Sequence, residues 1–117
     1  MPANRAIAFD ALPGPITAYL TAHRDHDIAA QLDLFAADAT VDDDGHTHTG
    51  HSAIAAWMNR SAGAYTYTIT PLAAEQSGEG DYTVTQQLAG DFPGGIVDLR
   101  FRITLRGGLI QHLVIEP

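Results

Sequence analysis

The segment from Ile96 to Leu105 alternates apolar and polar side chains more regularly than any other part of the chain. One face would carry Val97, Leu99, Phe101, Ile103 and Leu105, and the other Asp98, Arg100, Arg102 and Thr104. This period of two residues is typical of a β-strand that buries one face. The turn at Gly107 and Gly108 predicts a returning strand over residues 109 to 116. These two strands would belong to a sheet with one apolar face, and other elements of the chain must cover that face.

Helical periodicity in the first half of the chain predicts helices that could cover this face. Three apolar stripes have helical spacing: Ile16, Tyr19, Leu20 and His23; Ile28, Leu32 and Phe35; and Ile54, Trp57 and Met58. They predict helices that end near Arg24, Ala37 and Gly63. A short hairpin around Gly45 and strands over residues 64 to 74 and 82 to 89 complete the pattern. The fold class is therefore α+β, with three N-terminal helices in the concave face of a curved antiparallel sheet.

The composition excludes several kinds of protein. The 117 residues suffice for one domain, residues 1–117, and we expect residues 1–12 to form a loose tail. A net charge of -8 without any lysine disfavours nucleic acid as a partner. The absence of cysteine excludes disulfides and thiolate nucleophiles. No apolar run resembles a secretory signal or reaches the roughly 18 residues of a membrane span, which favours a cytoplasmic protein without a membrane partner.

The segment ATVDDDGHTHTGH, residues 39 to 51, concentrates carboxylates and histidines. It allows three interpretations: an exposed turn, an acid/base site or a metal site. His46 and His48 would point the same way from a strand, and His51 or Asp44 could supply a third ligand. An exposed hairpin without metal is the interpretation that we prefer. Alternation along the preceding strand would place Asp42 and Asp43 on opposite faces.

The segments DIAAQLDLFAADATVDD and GHSAIAAWM, in this order, resemble the second helix, first strand and third helix of the nuclear transport factor 2-like superfamily. This superfamily has a cone-shaped α+β barrel and includes ketosteroid isomerases and SnoaL-like polyketide cyclases. In ketosteroid isomerase, a tyrosine on the first helix and an aspartate base at the end of the first strand have the spacing of Tyr19 and Asp43. The resemblance therefore implies that Asp43 is a general base and Tyr19 a hydrogen-bond donor to the substrate's oxygen.

The sequence departs from the isomerase pattern at two places, so the complete hydrogen-bond network of the isomerase is not preserved. The second oxyanion donor of the isomerase is an aspartic acid, and the matching position here is Phe101. The tyrosines that support the first donor are replaced by Phe35 and Met58. Gln86 is a possible substitute donor, because it shares a strand face with Val84 and Leu88. Alternatively, the Gln86 amide forms a hydrogen bond with a neighbouring backbone group.

These observations predict a small isomerase- or cyclase-like enzyme that needs no cofactor and acts on a hydrophobic carbonyl compound. The predicted pocket residues share apolar or amide character: Phe35, Trp57, Val84, Gln86, Leu88, Phe101 and Leu113. Because the core of such a cone is also its pocket wall, the sequence does not tell which of them contact the ligand. The alternative is a non-catalytic ligand-binding or dimerisation domain of the same fold. We expect a homodimer through the outer sheet face, which carries Arg100 and Arg102.

Overall fold

The computed structural model describes residues 4–117, most of which belong to three α-helices and one seven-stranded sheet. In chain order the elements are β1 (Arg5–Ile7), α1 (Gly14–Arg24), α2 (Ile28–Leu32), β2 (Phe35–Asp43), β3 (His46–Thr49), α3 (Gly50–Ala64), β4 (Tyr67–Gln76), β5 (Asp81–Gly90), β6 (Ile96–Arg106) and β7 (Leu109–Glu116). A single 3-10 turn at Phe9–Ala11 connects β1 to α1. Within residues 4–117, no helix has the length and apolar character needed to cross a bilayer.

The sheet has the strand order β1-β4-β5-β6-β7-β2-β3 and is open, with β1 and β3 at its edges. Its pairs are antiparallel except for β2 and β7, which run parallel with Val41 opposite Leu113. The predicted α+β class with three helices is confirmed. The sheet is mixed and does not close into a barrel, because β1 and β3 remain unpaired on their outer sides.

The helices and the inner face of the sheet share one hydrophobic core. Its least exposed large side chains come from all these layers: Ile16, Tyr19, Phe35, Ile54, Phe101, Ile103, Ile110 and Leu113. Full burial of an apolar side chain of this size contributes about 1.5–3 kcal/mol. The predicted inner face of β6 is confirmed, since Phe101 and Ile103 are buried while Arg100 and Arg102 are exposed.

The second helix is shorter than its apolar spacing predicts. Asp27 caps its start by accepting a 3.1 Å hydrogen bond from the Ala30 N–H, but α2 ends at Leu32. Phe35 begins β2 instead of continuing the helix to Ala37. It is paired with Ile110 and only 2% exposed. Burial in the sheet therefore prevails over helical periodicity that the local sequence would also satisfy.

The N-terminal segment differs from the predicted loose tail over residues 5 to 12. Residues 5–7 form an edge strand antiparallel to β4, with Arg5 opposite Gln76. The Arg5 guanidinium also donates a 2.9 Å hydrogen bond to the Gln76 side-chain oxygen. Leu12 is 7% exposed and belongs to the core. The first three residues of the predicted tail lie outside the described residues.

A bulge explains why the last strand shows no clear alternation. The register between β6 and β7 shifts between Thr104 and Leu105. As a result Ile110 and Leu113 both face the core although they are three residues apart. His112 faces the outer side of the sheet, where its Nε2 lies 2.6 Å from the Asp42 carboxylate.

Candidate functional site

A cavity of about 440 Å³ opens where the helices meet one end of the sheet. Most of its wall is apolar, with Met58, Leu88, Leu99, Phe101 and Ile115 among the residues that line it. The polar side chains on the wall are few: His23, His26, Gln31, Asp43, Ser61, Tyr65 and Tyr67, together with the Trp57 indole. A mostly apolar wall with a small number of polar groups is typical of small-molecule binding sites.

Asp43, the last residue of β2, places on this wall the only carboxylate that residues 4–117 contribute to it. The Trp57 indole N–H donates a 3.0 Å hydrogen bond to Asp43 Oδ2. Trp57 is itself 8% exposed, so α3 holds the donor in a fixed position. The carboxylate is thus oriented by a buried ring while remaining on the cavity surface, as a group that exchanges a proton with a ligand needs to be.

The two neighbouring carboxylates have other environments. Asp42 points to the outer face, where it accepts hydrogen bonds of 2.6 Å from the Thr47 hydroxyl and from His112. These two bonds hold the pKa of Asp42 below its usual value. Asp44 is exposed in the turn with a φ of 52°. Asp42 and Asp43 therefore point to opposite faces of the sheet, as predicted. Of the three aspartates, Asp43 lines the cavity, Asp42 lies on the outer face and Asp44 belongs to the turn.

Two phenols lie close to Asp43. Burial raises the pKa of Tyr19, and the neighbouring Tyr67 and Asp43 add smaller contributions. Burial and then Asp43 likewise raise the pKa of Tyr67. Both phenols therefore stay protonated and able to donate a hydrogen bond at neutral pH.

The two phenols differ in their access to the cavity. Tyr19 is fully buried, packs edge-on against Phe35 with ring centroids 5.8 Å apart, and does not line the cavity. Its hydroxyl has no hydrogen-bond partner within residues 4–117. Tyr67 is half-buried and lines the cavity. Of the two phenols, only Tyr67 therefore shares the cavity wall with Asp43.

His23 adds a neutral imidazole to the wall. It follows Tyr19 by one helical turn, and the two rings stack with centroids 5.7 Å apart. Burial, with a smaller contribution from His26, lowers the pKa of His23 to about 4. Its Nδ1 has no hydrogen-bond partner in the described part of the chain. The imidazole is therefore uncharged at neutral pH and able to bond a ligand without adding charge.

The histidines of the hairpin are directed to different partners. His46 Nδ1 donates to the Asp44 carbonyl at 2.9 Å, His48 stacks on Trp57 with centroids 6.0 Å apart, and His51 Nε2 donates to the Phe35 carbonyl at 2.8 Å. Among residues 4–117, no three histidine, aspartate or glutamate side chains come together in a way that could hold a metal ion.

The predicted pocket residues divide into three groups. Trp57, Leu88 and Phe101 line the cavity. Phe35, Val84 and Leu113 belong to the buried core without lining it. Gln86 lies elsewhere, on a second cavity of about 370 Å³ between α1, the 3-10 turn and β4.

Gln86 and Asp43 are therefore not brought together. The Gln86 side chain is 1% exposed, and neither of its amide atoms has a partner within the described residues. It shares a sheet face with Leu88, as predicted, but a step of two residues along the strand, about 7 Å, places it on a different cavity. The structure does not favour Gln86 as a donor to a ligand beside Asp43.

Sequence reasoning did not identify Tyr67, His23 or His26 as site residues. Tyr67 alternates with Ile69 at the start of β4, a signal that was available. His23 was read only as part of the apolar stripe of α1. The His26 ring packs edge-on against Tyr67 with centroids 5.3 Å apart. Such a contact depends on tertiary structure and leaves no local pattern.

Comparison with known proteins agrees with the fold and the cavity. A family model described as the SnoaL-like domain matches residues 16–112. The chain belongs to the SnoaL-like domain family. The match includes α1, β2, α3 and most of the sheet, so the predicted superfamily is confirmed. No curated protein matches this SnoaL-like chain at a significant level.

Several solved structures share the SnoaL-like fold. A proposed polyketide cyclase from Sinorhizobium meliloti is 32% identical, with a TM-score of 0.87 over 94% of this chain and 100% of that one. A protein with a ketosteroid isomerase-like fold from Catenulispora acidiphila, solved with trimethylamine, is 24% identical, with a TM-score of 0.79 over 92% and 87%. A Mycobacterium tuberculosis protein in complex with estradiol-17beta-hemisuccinate is 20% identical, with a TM-score of 0.73 over 88% and 90%. The last two are similar in fold alone.

Proposed function

We propose that this SnoaL-like chain is a cofactor-independent enzyme that moves a proton beside the carbonyl group of a hydrophobic compound, as an isomerase or a cyclase does. The observation that carries the proposal is the position of Asp43. Its carboxylate lies on the wall of a largely apolar cavity, is oriented by the Trp57 N–H at 3.0 Å and has two protonated phenols nearby.

The proposed step follows from these groups. Asp43 takes a proton from the carbon next to the carbonyl, and the electron pair of that C–H bond moves onto the carbonyl oxygen as an enolate. A phenol donates a hydrogen bond to this oxygen; the resemblance to ketosteroid isomerase implies Tyr19, and Tyr67 is the alternative that lines the cavity. Protonated Asp43 then returns the proton to another carbon. In a cyclisation, the enolate carbon instead attacks a second carbonyl, and Asp43 gives its proton to the alkoxide oxygen that this attack forms. A positioned base typically contributes about 10²–10⁴-fold to the rate.

The charge of the wall supports an uncharged ligand. Asp43 brings one negative charge, and no arginine of the described chain lines the cavity. The chain has no lysine. An anionic group would therefore meet Asp43 without a compensating cation. The steroid conjugate bound by the Mycobacterium tuberculosis protein of similar fold supports a hydrophobic ligand of several rings.

A non-catalytic ligand-binding domain is the second candidate. It is supported by Phe101, which is 1% exposed and places an apolar ring where the isomerase pattern has its second donor. Loss of one oxyanion donor costs about 3–4 kcal/mol in transition-state stabilisation. The two candidates differ in one outcome, which is whether a bound ketone exchanges its protons.

The test uses 2-tetralone, a small bicyclic ketone with acidic α-protons, dissolved in deuterium oxide. We expect the protein to accelerate deuterium incorporation at the α-carbon, and Asp43→Asn to lower this acceleration by about 100-fold or more because the base is lost. Asn keeps an oxygen that accepts from Trp57. Asp44→Asn, in the exposed turn next to it, is the matched control and should leave the rate unchanged. Equal rates for Asp43→Asn and the original protein would refute the assignment, and binding without exchange would favour the second candidate.

The outer sheet face supports a further proposal, a homodimer. It carries an ion pair between β6 and β7, Arg102 with Glu116 at 3.1 Å, and a hydrogen-bonded pair between β2 and β7, Asp42 with His112 at 2.6 Å. A dimer would bury these partly exposed groups without removing their partners. Sedimentation analysis should give twice the mass of the chain, and Arg102→Glu, facing Glu116, should give the monomer. A monomer for the unchanged protein would contradict the proposal.

A further inference from the structure

We propose that Tyr67 is the residue that donates a hydrogen bond to the ligand's oxygen in the cavity, and that His26 positions it from the hinge between α1 and α2. The inference rests on the proposed function, because it assumes a carbonyl ligand beside Asp43. It assigns to Tyr67 the donor role that the resemblance to ketosteroid isomerase implies for Tyr19, with Gln86 as a possible substitute.

Access distinguishes the three candidate donors. The Tyr19 hydroxyl is sealed inside the core, and the amide of Gln86 lies at the second cavity. Tyr67 lines the same cavity as Asp43 and is only half-buried. The nearby carboxylate raises the pKa of this phenol further than burial alone does. Tyr67 thus combines contact with the cavity, closeness to the proposed base and a retained proton.

Strands β4 and β5 approach each other closely at Tyr67. Tyr67 pairs with Gly90, the last residue of β5. A Cβ atom at position 90 would lie 2.6 Å from the Tyr67 Cβ and would also collide with the Thr66 carbonyl. The Thr66 N–H donates a 2.8 Å hydrogen bond to the Asp91 carboxylate, and the Asp91 N–H donates to the Thr66 carbonyl at 3.1 Å. These contacts fix the start of β4 at the cavity mouth.

His26 occupies a position where most proteins have glycine. Helix α1 ends in a Schellman motif, in which the His26 N–H donates to the His23 carbonyl at 3.1 Å and the Asp27 N–H donates to the Ala22 carbonyl at 2.9 Å. The motif needs a left-handed residue, and His26 has a φ of 56°. A side chain with a Cβ is disfavoured in this conformation. A histidine here is therefore unfavourable for the helix end.

The position of the imidazole gives a reason for that unfavourable choice. The His26 ring lines the cavity and packs edge-on against Tyr67, with centroids 5.3 Å apart and an angle of 75° between the planes. An edge-to-face contact of this kind restricts the neighbouring ring. Backbone strain of this sort is concentrated at functional sites. His26 is thus a positioning residue, because it acts on the ligand through Tyr67.

The test compares two ligands that differ only in the oxygen, 2-tetralone and its hydrocarbon analogue tetralin. Binding is followed through the indole N–H resonance of Trp57, the one tryptophan of the chain, which lies on the cavity wall. Tyr67→Phe should weaken binding of 2-tetralone about three- to tenfold, as expected for one lost hydrogen bond, and leave binding of tetralin unchanged. Tyr82→Phe, which removes a hydroxyl that lies outside the cavity and accepts a 3.3 Å hydrogen bond from Gln76, is the control and should change neither affinity.

His26 is tested with variants that suit the helix end. His26→Gly and His26→Asn both fit a left-handed residue but remove the ring. Each should unfold at the same or a higher temperature than the original protein while binding 2-tetralone more weakly relative to tetralin. A purely structural role predicts no change in this ratio.

Two results would overturn the inference. One is a ketone preference that survives Tyr67→Phe, and the other is a preference that disappears in Tyr19→Phe. A ketone labelled with ¹³C at the carbonyl gives an independent reading, since the carbonyl resonance of the bound ligand should shift in Tyr67→Phe. These binding results do not depend on turnover. They therefore fail separately from the proposed function, which fails when Asp43→Asn retains proton exchange.

Discussion

Replacement of Trp57 by phenylalanine tests the contact that orients Asp43. The indole N–H donates to Asp43 Oδ2 at 3.0 Å, and the ring is 8% exposed. Hydrogen bonds to charged groups contribute about 1.5–3 kcal/mol to stability. The lower end applies here because Asp43 is partly open to the cavity, where water can replace the lost donor. The smaller ring also leaves part of the core unfilled.

Together these losses should reduce the free energy of unfolding by about 2–3 kcal/mol, or the melting temperature by roughly 10 °C in a chain of this size. Denaturant titration followed by circular dichroism measures the change without a tryptophan signal. A double-mutant cycle with Asp43→Ala isolates the hydrogen bond and should give a coupling energy of about 1.5 kcal/mol. A coupling near zero would refute the argument that Trp57 holds the carboxylate.

Two further predictions concern buried polar side chains. Because the pKa of His23 is about 4 in the folded protein and 6.5 in the unfolded chain, the unfolded state binds this proton more readily, and stability should fall as the pH falls through this interval. Denaturant titrations should show about 2–3 kcal/mol of this loss between pH 7 and pH 4.5, absent in His23→Phe; the same loss in both proteins would contradict the prediction. Gln86→Met should raise the free energy of unfolding by about 1 kcal/mol, since neither amide atom has a partner in the described residues. It should leave 2-tetralone binding unchanged; a destabilised variant would show that the amide is bonded after all.

The elements with a strong repeat could be predicted from the sequence. Alternation in β6 predicted both the strand and its buried face, and the Gly107-Gly108 turn predicted β7. The errors occur where distant residues decide the structure. Phe35 continues the helical spacing of α2, yet it pairs with Ile110, which lies 75 residues later in the sequence. The edge strand at Arg5–Ile7 likewise depends on β4, and no local pattern marks it.

Of the polar groups at the candidate site, Asp43 could be proposed from the sequence, whereas Tyr67 and His26 were not identified from it. The resemblance to ketosteroid isomerase implies Asp43 as the base, and strand alternation separates it from Asp42. Gln86 was expected in the cavity because strand parity gives the face of a sheet but not the depth along it. His26 reaches Tyr67 only because the helix end adopts a left-handed residue. A sequence pattern favours glycine there and therefore does not predict a functional ring.

The most direct test of the account is a crystal structure of the protein with 2-tetralone bound. The account predicts the ketone in the cavity of about 440 Å³, with its oxygen within hydrogen-bond distance of the Tyr67 hydroxyl. Its α-carbon should lie about 3–3.5 Å from an Asp43 carboxylate oxygen, the separation of groups ready to react. A ketone bound in the cavity beside Gln86, or one whose α-carbon points away from Asp43, would contradict it.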